Sequence, residues 1–188
     1  MGNDLNFLEE IKWYKPRNEE EKKQKEIMLQ YIVLFYDKIA YRNNMLFHMT
    51  ASSVVLNEKR DKMLMIYHKI YQSWSWIGGH TDGERDLQKT AIRETEEETG
   101  ISELKPIENG IVSLDILTVE GHYKKEEYIC PHIHFNVTYC FEARENSKLI
   151  VNEKETNGVK WIAISELEQY CTEPKMMPIY QKIIQRIR

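Results

Sequence analysis

The stretch IRETEEETGI, residues 92–101, crowds Glu94, Glu96, Glu97 and Glu98 into little more than one helical turn. Each residue of an α-helix advances by about 100°, so Glu94, Glu97 and Glu98, at i, i+3 and i+4, share one face, and Glu96 projects to the other side. Three carboxylates this close repel one another unless something positive sits among them. A hard divalent cation meets that demand, because oxygen ligands suit Mg²⁺ or Mn²⁺. Leu87, Ala91 and Thr95 form an adjoining stripe that can anchor the helix to a sheet and set the carboxylates at the rim of the buried seam. Asp86 stands near the start of this helix and Gly100 is its C-terminal stop.

The segment before the helix, IGGHTDGE, reads as a Gly-rich loop. Gly78 and Gly79 permit backbone conformations that other residues resist and bring amides or carbonyls close to a ligand. Mg²⁺ held by few carboxylates keeps waters and takes phosphate oxygens as further ligands. A Gly-rich loop followed by an acidic helix therefore suggests phosphoanhydride chemistry.

Residues 79–101, GHTDGERDLQKTAIRETEEETGI, resemble the 23-residue box of the Nudix hydrolase family. Gly79 opens the box, Arg93-Glu94 and Glu97-Glu98 fall in register, and Gly100-Ile101 close it. The resemblance implies metal coordination by Glu94, Glu97 and Glu98, with a contribution from the Gly78 carbonyl. It implies that Arg93 orients the carboxylates. It also implies a distal glutamate in a loop ahead of a strand that carries a tryptophan. NEKETNGVKW offers Glu153 and Glu155 before Trp161, and Glu155 is the choice for general base. The sequence departs from the box at three places. Arg85 stands where the family has its first glutamate, with Glu84 one residue early; Thr95 occupies an aliphatic position; and Ile77 replaces a common proline. Either Glu84 reaches the usual place from a shifted loop, or its support of Arg93 is lost.

Around the box, the pattern predicts a helix over about 19–41, with a second half that is apolar on nearly all sides. Strands are expected at 46–57 and 62–70 as a hairpin, then near 111–119, 132–142 and 159–163. SELEQY begins a short helix capped by Ser165, and MMPIYQKIIQRI forms the last one. The expected fold class is α+β, a Nudix-type α/β/α sandwich with a mixed sheet and an added N-terminal helix. The division expected is a helical extension over 1–44 and a hydrolase domain over 45–188. A homodimer through the N-terminal helix is favoured, with Ile27, Tyr31, Leu34 and Phe35 packed inward and Met28, Ile32 and Tyr36 left for a partner.

Among other polar and aromatic residues, His80 is a candidate phosphate contact, and Lys69 and Arg85 are weaker ones. Trp76, with Trp74 and Tyr71, could stack a base or simply pack. His132 and His134 alternate on one strand and so point to one side; such pairs more often line a pocket wall than bind a metal. Net charge is 26 − 30 = −4 and there is no basic stripe, which argues against nucleic acid as a partner. The three cysteines have no framework spacing, and the first residues lack a basic-then-apolar leader; together these imply reduced thiols in the cytoplasm. The longest apolar run, residues 27–36, is about half of the roughly 20 residues that span a bilayer.

The expected activity is metal-dependent hydrolysis of a diphosphate linkage in a nucleoside diphosphate joined to another moiety. The alternatives are a catalytically weak nucleotide sensor on the same fold and an RNA 5′-end pyrophosphohydrolase. An isoprenoid diphosphate isomerase would need a cysteine near the glycines, and no cysteine precedes Cys130.

Overall fold

Alternating apolar and small polar residues in FHMTASSVVL make a strand that can pair on both edges and pack on both faces. This strand is the centre of the molecule. A computed structural model describes residues 7–36, 38–124, 126–154 and 156–187. Two helices come first, α1 (Phe7–Trp13) and α2 (Glu19–Phe35), then strands β1 (Phe47–Leu56), β2 (Lys62–His68), β3 (Ser73–Ser75) and β4 (Ile77–His80). Helix α3 (Leu87–Thr99) follows, then β5 (Lys105–Pro106), β6 (Ser113–Val119), β7 (His122–Lys124), β8 (Glu127–Ile129), β9 (His132–Glu142) and β10 (Thr156–Ala163). A 3-10 turn, Ile164–Glu166, leads into α4 (Leu167–Tyr170), and α5 (Met176–Ile187) ends the chain.

The main sheet runs β10-β2-β1-β9-β5, with β3 on β2, β4 on β1 and β6 on β9. The β1–β9 pair is parallel and the others are antiparallel, so the sheet is mixed as expected. One core, with Met49, Ala51, Val55, Val137 and Phe141, takes in Met28 and Ile32 of α2 and Leu87 and Ala91 of α3. A second core on the other face joins Val54, Met65 and Cys140 to Tyr180, Ile183 and Ile184 of α5. Helices on both faces of one sheet make the α/β/α sandwich.

The expected hairpin is only partly a hairpin. β1 pairs with β2 near the turn, at Val55↔Leu64 and Leu56↔Met63, while β4 takes the same edge of β1 over Thr50–Ser53. The buried side chain of Asn57 holds the turn, its Oδ1 accepting from the amides of Asp61 and Lys62 at 3.0 and 3.1 Å. Gly78 and Gly79 therefore lie in a strand and not in a loop. Ser165 caps nothing: it lies inside the 3-10 turn, whose N-cap is Ala163, without a side-chain bond.

Helix α2 ends at Phe35, about six residues before the expected stop. There the amides of Lys38 and Ile39 both turn back to the Phe35 carbonyl at 2.8 Å, and the chain folds inward to bury Ile39 and Ala40. The helix also faces the opposite way from the expectation. Met28 and Ile32 are buried, whereas Tyr31, Val33, Leu34 and Phe35 are exposed. The reason is electrostatic as well as apolar, since the same inward stripe carries Glu21. Its carboxylate is 1% exposed and accepts from Arg186 of α5 at 2.8 and 3.0 Å, with Lys182 at 3.4 Å. Burial pushes the Glu21 carboxyl up, but the Arg17 amide and Arg186 outweigh it and hold it below its ordinary 4.5.

The pairing of Glu21 with Arg186 ties the N-terminal helices to the last helix around the β6 edge. Removing one partner leaves the other charge buried. Glu21→Ala is expected to cost about 3 kcal/mol at pH 7 in urea denaturation. Because the folded carboxyl is depressed, the wild-type advantage holds above the unfolded value of 4.5 and fades as pH falls through it.

Candidate functional site

Helix α3 is placed by its ends and by one polar contact. Asp86 caps it, accepting from the Lys89 amide at 3.0 Å, and Gly100 closes it in the left-handed region at φ 76°. Leu87, Ala91 and Thr95 are buried against the sheet as expected. Thr95, the departure from the aliphatic box position, donates to Ala91 O and meets the Ser53 hydroxyl of β1 at 2.9 Å, and that hydroxyl in turn donates to Ala91 O at 3.0 Å.

This docking lays Glu94 and Glu98 across β4. The Gly78 amide donates to Glu98 Oε2 at 3.3 Å. A Cβ on Gly79 would stand 2.4 Å from the Glu94 carboxyl carbon, so only glycine admits that carboxylate. The glycines serve close approach, in extended backbone, and not a turn. Glu94 and Glu98 are nearly buried, and Glu97 faces solvent. Arg93 spans the group: its Nη1 lies 2.8 Å from Glu94 and 3.4 Å from Glu97, and its Nη2 donates to the His80 carbonyl at 3.0 Å.

Glu84 is turned to the start of α3, accepting from the Arg85 and Asp86 amides at 2.7 and 2.9 Å. It caps the helix entry, and Arg93 is steadied by the His80 carbonyl. The Arg85 guanidinium lies 5.1 Å from the Tyr36 ring centre. Lys69 is committed to the Glu153 carbonyl. Trp76 is core: its amide donates to the Tyr180 hydroxyl at 3.1 Å and its ring meets Tyr180 edge-on. Trp74 lies under the Lys160 ammonium, and Tyr71 stacks on His68. Glu155 lies outside the described residues. A cavity of about 500 Å³ opens elsewhere, between Trp13, Arg17, Asn109 and Arg186.

The residue that sequence reasoning missed is His48, on β1. His48 packs against His80, His132 and His134, with ring centres 4.8 to 5.0 Å away. Register explains it, as His48 pairs with His134 and Thr50 with His80. Burial, with the Arg42 charge next, holds His80 at about 3. Burial and the surrounding imidazoles hold His134 at about 2.

A mixed sheet between helices, with a glutamate helix laid on a glycine strand, defines a class of phosphoanhydride hydrolases. Residues 46–187 match the NUDIX domain family, and the chain belongs to it; it is a pyrophosphohydrolase acting on acid anhydrides. The comparison with curated proteins returned no match. Solved structures with the same fold include a C. elegans Ap4A hydrolase, 18% identical, TM-score 0.54, covering 74% of this chain and 98% of that one. The E. coli dihydroneopterin triphosphate pyrophosphohydrolase is 14% identical, TM-score 0.54, covering 74% and 94%. A Nudix hydrolase from Clostridium perfringens is 19% identical, TM-score 0.51, covering 75% and 98%.

The clearance at Gly79 makes a specific demand. Gly79→Ala is expected to fold, because the Glu94 carboxylate is the flexible end of a side chain and can swing aside. Turnover should fall by at least about 10-fold, short of the roughly 10²–10³-fold that outright removal of a charge-stabilising group costs. Unchanged hydrolysis with an unchanged melting temperature would show that Glu94 need not lie over β4.

Proposed function

We propose that the chain is a Mg²⁺- or Mn²⁺-dependent hydrolase that cleaves the diphosphate linkage of a nucleoside diphosphate joined to another moiety. The observation that carries this reading is the convergence of Glu94 and Glu98 on the Gly78-Gly79 strand, with Arg93 bracing Glu94 and Glu97. Three carboxylates, two of them braced by one guanidinium and the third by a backbone amide, form with the nearby carbonyls an all-oxygen donor set suited to a hard cation. Glu94, Glu97, Glu98 and the Gly78 carbonyl would hold it. When bound, such an ion polarises phosphoryl oxygens and lowers the pKa of a water.

The chain's own groups do the rest. Arg93 fixes the direction of two carboxylates, and the Gly78 amide fixes the third. Glu155 is proposed as the base that takes the proton from the attacking water. The names of two structural neighbours, an Ap4A hydrolase and a dihydroneopterin triphosphate pyrophosphohydrolase, support a nucleotide-like phosphoanhydride as the substrate class. Among the described residues no helix is long and apolar enough to cross a membrane. The free thiols of Cys130, Cys140 and Cys171 support a cytoplasmic location.

The test is a panel of nucleotides, nucleotide sugars and dinucleotides with Mg²⁺, following release of phosphate or monophosphate. Glu98→Gln should stay folded and lose about 10²-fold or more in turnover. Glu155→Gln should lower kcat more than it changes KM. Full activity in excess EDTA, or a fully active Glu98→Gln, would overturn the reading in favour of a fold that senses nucleotides.

We also propose a homodimer through α2, now by its outward side. Val33 and Leu34 are 64% and 65% exposed, with Tyr31 and Phe35 beside them. Light scattering at micromolar concentration should give about twice 22.5 kDa, and a monomer mass would exclude the dimer.

A further inference from the structure

The face of the sheet opposite Gly79 and Glu94 carries a group of side chains that phosphoanhydride hydrolysis does not use. Side chains alternate along a strand, so Gly79 faces α3 while His80 faces the other way. His48 and His134 lie on that other side through their register with one another, and His80 joins them beside Thr50. One nitrogen from each of His48, His80 and His134 lies within 4.8 Å of the others.

The protonation of these rings follows from their partners. His48 Nδ1 is 2.9 Å from the Asn44 carbonyl, which can only accept, so Nδ1 carries the hydrogen. In the neutral ring Nε2 is then a bare lone pair, and among the described residues it is buried without a partner. His132 Nδ1 likewise donates to the Cys130 carbonyl at 2.9 Å, which leaves its Nε2 as a lone pair 3.1 Å from His134 Nε2. A ring whose far nitrogen is fixed by a carbonyl is the usual arrangement of a metal-ligating histidine.

We infer that His48, His80 and His134 form a second metal site, for a borderline transition ion of the Zn²⁺ class, with His132 at the fourth position. Imidazole nitrogens favour such ions, and Mg²⁺ favours oxygens. A tetrahedral ion with Zn–N of about 2.0–2.1 Å sets its ligand nitrogens about 3.3 Å apart. The 3.1 Å between His132 Nε2 and His134 Nε2 is already close to that edge, and the nitrogens of His48, His80 and His134, within 4.8 Å of one another, would draw in on binding. An ion here would satisfy the orphaned His48 nitrogen. It would also bind β1, β4 and β9 together at one point, on the opposite side of β4 from the glutamates.

The site stands apart from the proposed hydrolase chemistry, and the experiment separates them. Full-length protein stripped by chelation is titrated with Zn²⁺ by calorimetry in a large excess of Mg²⁺. One ion per chain is expected, together with a raised melting temperature. Co²⁺ should bind at the same stoichiometry with the visible absorption of a four-coordinate nitrogen site. His134→Ala and His80→Gln should each weaken Zn²⁺ binding by about 100-fold or more, His132→Ala by less, and Glu98→Gln should leave it intact. Circular dichroism shows which variants fold, and either of the first two suffices. No saturable binding at one ion per chain, binding that Mg²⁺ displaces or Glu98→Gln abolishes, or binding unchanged in His134→Ala and His80→Gln would each overturn the assignment. Failure of hydrolysis in Glu98→Gln with zinc binding retained would bear on the glutamate site alone.

Discussion

The close approach of α3 to β4 is the constraint on which the rest depends. Two carboxylates must lie close over the backbone of β4 in a nearly buried seam, and that requires three things at once. The strand must have no side chain where Glu94 lies, hence Gly79. The strand must offer an amide to the second acid, which Gly78 does. The helix must be held at fixed depth and rotation, which the Thr95–Ser53 contact and the two caps supply. A helix shifted by one residue turns by about 100° and would put Glu97 or Glu96 in the seam. Burying a charge there without those partners would be costly.

The parts legible in the sequence are those where chemistry and local period coincide. The strand His132–Glu142 and the helix Met176–Ile187 have the expected bounds because β-branched and aromatic alternation, and helical periodicity, are local properties. The acid helix was legible for the same reason, and its fixed spacing carried the family with it. Two adjacent glycines ordinarily mark a loop, and that is what the sequence predicts for Gly78 and Gly79. Their real reason, a carboxylate crossing above them, is a tertiary fact.

What was not legible depends on pairing between distant segments. The inward face of α2 could not be ranked by hydrophobicity, since that helix is apolar nearly all round in its second half. The choice fell to Glu21, whose partner Arg186 is 165 residues away. The histidine cluster needs the parallel register of β1 with β9 and the antiparallel register of β4 with β1. The sequence displayed only the His132–His134 alternation. The substitution at the first box glutamate was visible, but its resolution was not. Glu84 went to the helix entry, and a backbone carbonyl took up Arg93.

That carbonyl belongs to His80, and here the two faces of β4 meet in one residue. The His80 backbone steadies the guanidinium that braces Glu94, while its ring lies among the imidazoles on the opposite face. The donors on the two sides differ in kind, oxygen on one and nitrogen on the other, so the two proposed sites would favour different classes of ion. A displacement of β4 by a fraction of an ångström would be felt on both. Fixing the His80 ring would therefore also fix the carbonyl that holds Arg93. In a chain that lacks the usual first box glutamate, it is the His80 backbone carbonyl that takes up Arg93.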